Sequence, residues 1–142
     1  MRALFDVNVL LALFDAEHSR HDDARSLMTL NCEFGWASCP LTENGFARIM
    51  SQTSYTNPVL TMEAMSILRA QQRESDHEFW PDDVSIADAD VFDHSRILGP
   101  NQITDLYLLA LAVKRDGRLV TFDRGIPLSA VRGAEARHLV VI

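Results

Sequence analysis

Two cysteines, a single lysine and no apolar run of membrane-spanning length set the first limits on this sequence. Cys32 and Cys39 lie either side of an apolar segment. No second pair or suitably placed histidines complete a zinc set, so both read as small core residues. No stretch approaches the ~20 apolar residues of a bilayer-crossing helix, and the opening M-R-A-L-F-D-V-N lacks the long apolar region of a secretory signal. A cytoplasmic protein with no membrane association is therefore expected. Lys114 is the only lysine among 13 basic residues, so contacts to phosphate would fall to arginine and its fork of donors. The net charge of −7 argues against a tight nonspecific grip on a nucleic-acid backbone. It leaves room for a nucleic-acid substrate if carboxylates gather around a metal and arginines line the approach.

Repeats, low-complexity segments and linkers are absent too, so the 142 residues are expected to form one domain, 1–142. Arg2 to Phe5 reads as a short strand ending at Asp6, and Val7 to Phe14 continues at helical spacing. Ser19, with Asp22 three residues on, offers a cap for a helix running to about Leu30. Phe34 to Ser38 reads as a strand interrupted by Gly35. Pro40 opens a helix with Glu43 near its positive end and Gly45 as a candidate close contact. Asn57-Pro58 starts another, with Leu60, Ala64, Ile67 and Leu68 as its buried stripe. His77 to Trp80 reads as a strand, Asp88 to Ile97 as a short helix, and His138 to Ile142 as a last strand.

The most informative stretch runs from Asn101 to Gly125. Asn101 or Thr104 can cap a helix carrying Leu106, Leu109, Ala110 and Val113, with Lys114 and Arg115 in its last turn and Gly117 as a left-handed exit. A strand from Arg118 to Phe122 follows and ends at Asp123. The helix from Asp105 spans roughly 18 Å and the strand returns roughly 17 Å, so the two aspartates should come level on one edge. Strands alternating with helices predict an α/β fold: a three-layer α/β/α sandwich around a mainly parallel five-stranded sheet. Ligands bind such sheets beyond the carboxyl ends of the strands. Asp6, Glu43, Asp105 and Asp123 are all expected there.

Each acid alone has a structural explanation as a helix cap, a dipole partner or a turn former. Four carboxylates converging on one edge would repel each other, and would take up protons or bind a divalent cation. Oxygen donors favour Mg²⁺ or Mn²⁺ over zinc, and such a site suits phosphodiester hydrolysis. Asn8, Thr104 and Thr121 are the neutral polar groups expected to support it. Arg124 is a candidate phosphate contact, with a surface salt bridge as the alternative.

L-F-D-V-N, P-L-T-E-N-G-F, T-D-L-Y-L-L-A-L-A and L-V-T-F-D, in that order, resemble the PIN-domain ribonucleases, and among them the VapC-type toxins of toxin–antitoxin pairs. The resemblance covers essentially the whole chain. It implies an acidic quartet at Asp6, Glu43, Asp105 and Asp123, Mg²⁺-dependent RNA cleavage, dimerisation and inhibition by a cognate antitoxin. Two rival readings are a metal-dependent phosphatase on a similar sheet and a noncatalytic PIN-like module binding RNA or protein. The phosphatase class needs an aspartate where Asn8 stands. A phospho-acceptor receiver domain needs a lysine at the end of its last strand, whereas Lys114 is expected in a helix. Asp88, Asp90 and Asp93 lack the glycine of a calcium loop, and His18 and His21 read as surface residues. Trp36, Trp80, Phe79 and the Met62–Met65 pair are expected in the core.

Overall fold

The computed structural model describes residues 1–142, apart from the side chains of Asn31 and Cys32, so the expected packing of Cys32 lies outside the described residues. In chain order the elements are β1 (Ala3–Phe5), α1 (Val7–Phe14), α2 (His21–Asn31), β2 (Trp36–Ser38), α3 (Pro40–Met50), α4 (Thr61–Glu74), β3 (His77–Phe79), α5 (Ile103–Lys114), β4 (Arg118–Thr121) and β5 (Leu139–Val141). The strands lie in the order β3-β2-β1-β4-β5 and every pairing is parallel. The five-stranded α/β sandwich expected from the sequence is the one found.

Alternation along the strands divides the core. Ala3 and Phe5 of β1 pack with α1, α2, α3 and α4, while Leu4 points the other way, toward α5. Val120 and Leu119 of β4 split in the same manner. Both faces of β1 are therefore covered, which explains why its residues are all apolar. α3 begins with Pro40, whose missing N–H costs nothing at that position, and Thr42 accepts the N–H of Cys39 at 3.0 Å. Gly45 is the close contact the sequence suggested: a Cβ there would fall 2.7 Å from Val7 Cγ2 at the start of α1.

Several expectations fail locally. Phe34 belongs to a 3-10 turn, and β2 starts only after Gly35, whose φ of 66° suits glycine and whose Cβ would press on the Asp76 carbonyl. α4 starts at Thr61, because Leu60 before it is extended and Val59 N–H donates back to the Met50 carbonyl at 3.1 Å. Leu60 is consequently exposed, and Ala64 and Leu68 form the buried stripe. Asp88 to Ile97 is not a helix. Asp88 accepts the Asp90 N–H at 2.9 Å, Asp93 accepts from Ser95, and Phe92 bridges Val131, leaving only a 3-10 turn at His94–Arg96. Such local side-chain bonds offer the backbone an alternative to a helix.

The entry to α5 also differs. A 3-10 turn at Pro100–Gln102 leads straight into the helix, and neither Asn101 nor Thr104 caps it. At the other end Asp116, at φ 50°, makes the left-handed exit instead of Gly117. Gly117 is required by space: a Cβ would lie 2.6 Å from the Trp80 ring and 2.8 Å from the Arg2 carbonyl. Trp36, Trp80 and Cys39 are buried as expected, but Phe79 on the edge strand β3 is 52% exposed. Met62 is 74% exposed and Met65 likewise faces outward. His18 and His21 are half-buried, held by the Arg20 N–H and the Ala12 carbonyl respectively. No helix among the described residues is long and apolar enough to cross a membrane.

Candidate active site

β1 and β4 are neighbours although more than a hundred residues separate them, and the strand order reverses between them. A crevice beyond the carboxyl ends of the strands is expected at such a point. Asp6 follows β1 directly and caps α1, its Oδ1 accepting the Val7 N–H at 2.6 Å. Its Oδ2 accepts the hydroxyl of Thr121, the last residue of β4, at 3.0 Å. The Thr121 oxygen in turn accepts the Asp123 N–H at 3.1 Å, so one fully buried hydroxyl ties two acids from distant parts of the chain. Asp123 Oδ1 accepts the Gly125 N–H at 2.7 Å, closing the turn after the strand.

Asp105 sits in the first turn of α5, which packs against β1 and β4. Burial, the Asp6 charge, and a hydrogen bond and charge from Asp123 together raise its pKa to about 7. Two carboxylates hydrogen-bond only when one of them keeps a proton, so the raised value and the contact have one origin. Burial also raises the Asp6 carboxyl, against the lowering effect of its bonds to Thr121 and Val7, with the Asp123 charge adding to the rise. Among the described residues no arginine or lysine is ion-paired with Asp6, Asp105 or Asp123. The corner is rich in carboxylate and poor in counter-charge.

Glu43 stands apart from this set. Its Oε1 accepts the Ser38 hydroxyl and the Gln72 amide, each at 2.6 Å, and Ser38 Oγ lies 2.8 Å from His77 Nε2. Since Ser38 has one proton and gives it to Glu43, His77 must donate through Nε2. Burial holds the His77 pKa below its ordinary value, against the opposing charge of Glu43. Of the four predicted acids, Asp6 and Asp123 are bridged by Thr121 and both raise the carboxyl of Asp105, while Glu43 is hydrogen-bonded to Ser38 and Gln72.

The donor chemistry of the three aspartates fits a hard divalent cation: oxygen only, negative in excess, and without protein counter-charge. No three His, Cys, Asp or Glu side chains among the described residues stand ready-made around an ion. Of the supporting residues, Thr121 is at the centre of the corner, whereas Asn8 and Thr104 are exposed, Thr104 on the groove beside it. Arg124 is exposed and forms no ion pair among the described residues.

An open groove of about 480 Å³ adjoins the corner, reaching Val7 and Thr104 on the aspartate side and Asn44 and Arg48 on α3. Neither Asn44 nor Arg48 was expected from the sequence, nor were Ser38, Gln72 and His77. The i, i+4 spacing of Asn44 and Arg48, off the buried stripe of Thr42, Phe46 and Met50, was the available signal. The Glu43 partners carried none, because β2, α4 and β3 bring them together only in the folded chain.

A PIN-domain family model matches residues 3–132. Ribonuclease VapC44 of Mycobacterium tuberculosis is 51% identical over 142 residues, covering 100% of both chains. Ribonuclease VapC38 of the same organism is 42% identical over 125 residues, covering 87% of this chain and 86% of that one. In fold, the chain is similar to one in the crystal structure of VapBC2 from Rickettsia felis bound to a promoter DNA fragment. The TM-score there is 0.57 at 15% identity, covering 87% of this chain and 89% of that one. With the family matched over residues 3–132 and ribonuclease VapC44 aligned over the whole length, this chain belongs to the PIN-domain family as a member of the VapC type.

Proposed function

We propose that this chain is a Mg²⁺-dependent endoribonuclease, the toxin of a toxin–antitoxin pair, which hydrolyses RNA phosphodiester bonds at the Asp6–Asp105–Asp123 corner. The observation that supports the reading is the Thr121 hydroxyl bridging Asp6 and Asp123 beside Asp105, whose carboxyl both acids raise, with no ion-paired arginine or lysine on the three among the described residues. Names of the relatives support the reaction class, and PIN-domain ribonucleases of this type are metal-dependent in general. Asp6, Asp105 and Asp123 would hold Mg²⁺, or Mn²⁺ in its place. When bound, the ion would offset phosphate charge and make water a better nucleophile.

The remaining work falls to side chains. Thr121 and the Val7 N–H fix both oxygens of Asp6, so its direction is set before substrate arrives. Asp105 keeps a proton up to about pH 7 and must release it for the corner to carry full charge. Glu43 is assigned the outer role: freed from Gln72 or Ser38, it would accept the proton of the attacking water. Asn8 and Thr104 would contact the substrate or its water at the mouth, and Arg124 a substrate phosphate. RNA, a cognate antitoxin and a second copy of the chain are the proposed partners, in the cytoplasm.

The test compares the wild-type protein with Asp105→Asn on mixed cellular RNA, with and without Mg²⁺. Cleavage by the wild type alone, and only with the ion, is the expected result. Equal cleavage by both proteins would remove the site assignment. Failure of the antitoxin-free wild type to cleave would favour a binding module.

A further inference from the structure

We infer that the outer face of α3 carries the single-stranded RNA leading to the acidic corner, with Arg48 gripping its backbone. The inference rests on the ribonuclease reading above. α3 buries Thr42, Phe46 and Met50 and turns Pro40, Asn44 and Arg48 outward at successive steps of four, and Gln52 follows in the turn just past its end. The groove beside the aspartates ends on Asn44 and Arg48, and a second groove begins on the same two residues. That second groove runs on past Ser51 and Gln52 to Thr61 and Met65. The two form one track along the helix.

Charge and length suit a nucleic-acid strand. Arg48 is exposed and makes no ion pair or side-chain hydrogen bond among the described residues. Arg2, Arg20, Arg96, Arg115 and Arg137, by contrast, are all engaged by carboxylates. Among the described residues Arg48 is the one cation lining the two grooves, whose walls are largely apolar (Val7, Leu41, Ala47, Met65) with Asp82 as their one carboxylate. A free guanidinium next to a phosphodiester-cleaving corner matches a backbone phosphate. The 11 residues of α3 span about 16 Å, the length of four to five stacked nucleotides at roughly 3.4 Å each. Met65, exposed at the far end, offers an apolar surface to a base.

Binding of a fluorescein-labelled, unstructured RNA oligonucleotide to the uncleaving Asp105→Asn protein, followed by anisotropy across a salt series, tests the track apart from catalysis. Adding Arg48→Ala should weaken binding about tenfold for any sequence and reduce the salt slope by about one. Arg48→Lys should keep most of the slope. Arg69→Ala, an exposed arginine of α4 outside both grooves, should change neither. Unchanged affinity and slope in Arg48→Ala, with wild type still cleaving, would overturn the track and leave the ribonuclease reading intact. So would an Arg48→Ala defect confined to self-association or to capture of a protein partner. Absence of cleavage by the metal-loaded wild type would instead overturn the reading on which the track rests.

Discussion

Asp105 and Glu43 hold the same local position, an acidic side chain in the first turn of a helix beside the sheet. The positive end of a helix favours a charged carboxylate in both cases. Their surroundings diverge completely. Glu43 meets two donors, Ser38 and Gln72, that satisfy one oxygen at 2.6 Å each. Asp105 meets Asp6 and Asp123, and burial among like charges overrides the helix end and raises its pKa to about 7. Sequence position put both acids on the same edge. What each faces across the fold separates a satisfied carboxylate from one crowded by like charge.

The largest effect should come from the crowded member. Asp105→Asn is expected to reduce Mg²⁺-dependent RNA cleavage by at least about a hundredfold, since even outer partners of metal ligands cost ten- to a hundredfold. The same substitution should leave the metal-free fold intact or slightly more stable, because it relieves repulsion. Calorimetric Mg²⁺ titration and thermal melting check the two halves. A variant that loses activity through unfolding would erase the contrast with Glu43.

Thr121→Val ranks next. The substitution keeps the shape and removes the hydroxyl that joins Asp6 Oδ2 to the Asp123 N–H. Two bonds at a fully buried position are lost, so urea unfolding should show a destabilisation of about 1–3 kcal/mol. Mg²⁺ affinity should fall about tenfold, as for other outer partners. Native stability with unchanged affinity would show that Thr121 orients neither acid.

A smaller change is expected on the satisfied side. Gln72→Ala removes one of the two donors to Glu43 and leaves Ser38 in place. If Glu43 works by leaving its network, loosening it should alter kcat by only a few-fold and leave Mg²⁺ affinity unchanged. Steady-state cleavage alongside metal titration separates these. A loss of Mg²⁺ affinity as large as that of Asp105→Asn would merge the two environments and restore a four-carboxylate cup.

How far the sequence could be read follows the same line. That Asp105 and Asp123 come level could be read from helix rise and strand rise, and Asp6 from its place just after β1, although β4 stops at Thr121 and leaves Asp123 in the turn beyond it. The direction of Glu43 could not, because Ser38, Gln72 and His77 come from β2, α4 and β3. Asp88 to Ile97 looked helical by composition, yet its aspartates bond their own backbone neighbours. Phe79, Met62 and Met65 were expected inside by residue type. An edge strand and the outer side of α4 left them at the surface.

The pH dependence of stability should carry the faintest trace of the contrast. The Asp105 carboxyl keeps its proton to about pH 7 when folded, and to about its ordinary 3.8 when unfolded. Between those limits the folded chain holds the extra proton, so stability falls as pH rises. The contribution is fully present below pH 3.8 and is lost once pH passes 7. His77, with its lowered pKa, works in the opposite direction within the same window. The informative quantity is therefore the difference between wild type and Asp105→Asn. Without metal, wild-type Tm relative to the variant should drop between pH 5.5 and 7.5. Excess Mg²⁺ should reverse that trend, because the ion binds only the folded, deprotonated corner and raises Tm most at the higher pH. A flat difference without metal would mean that Asp105 feels neither burial nor its two neighbours, and the distinction from Glu43 would collapse.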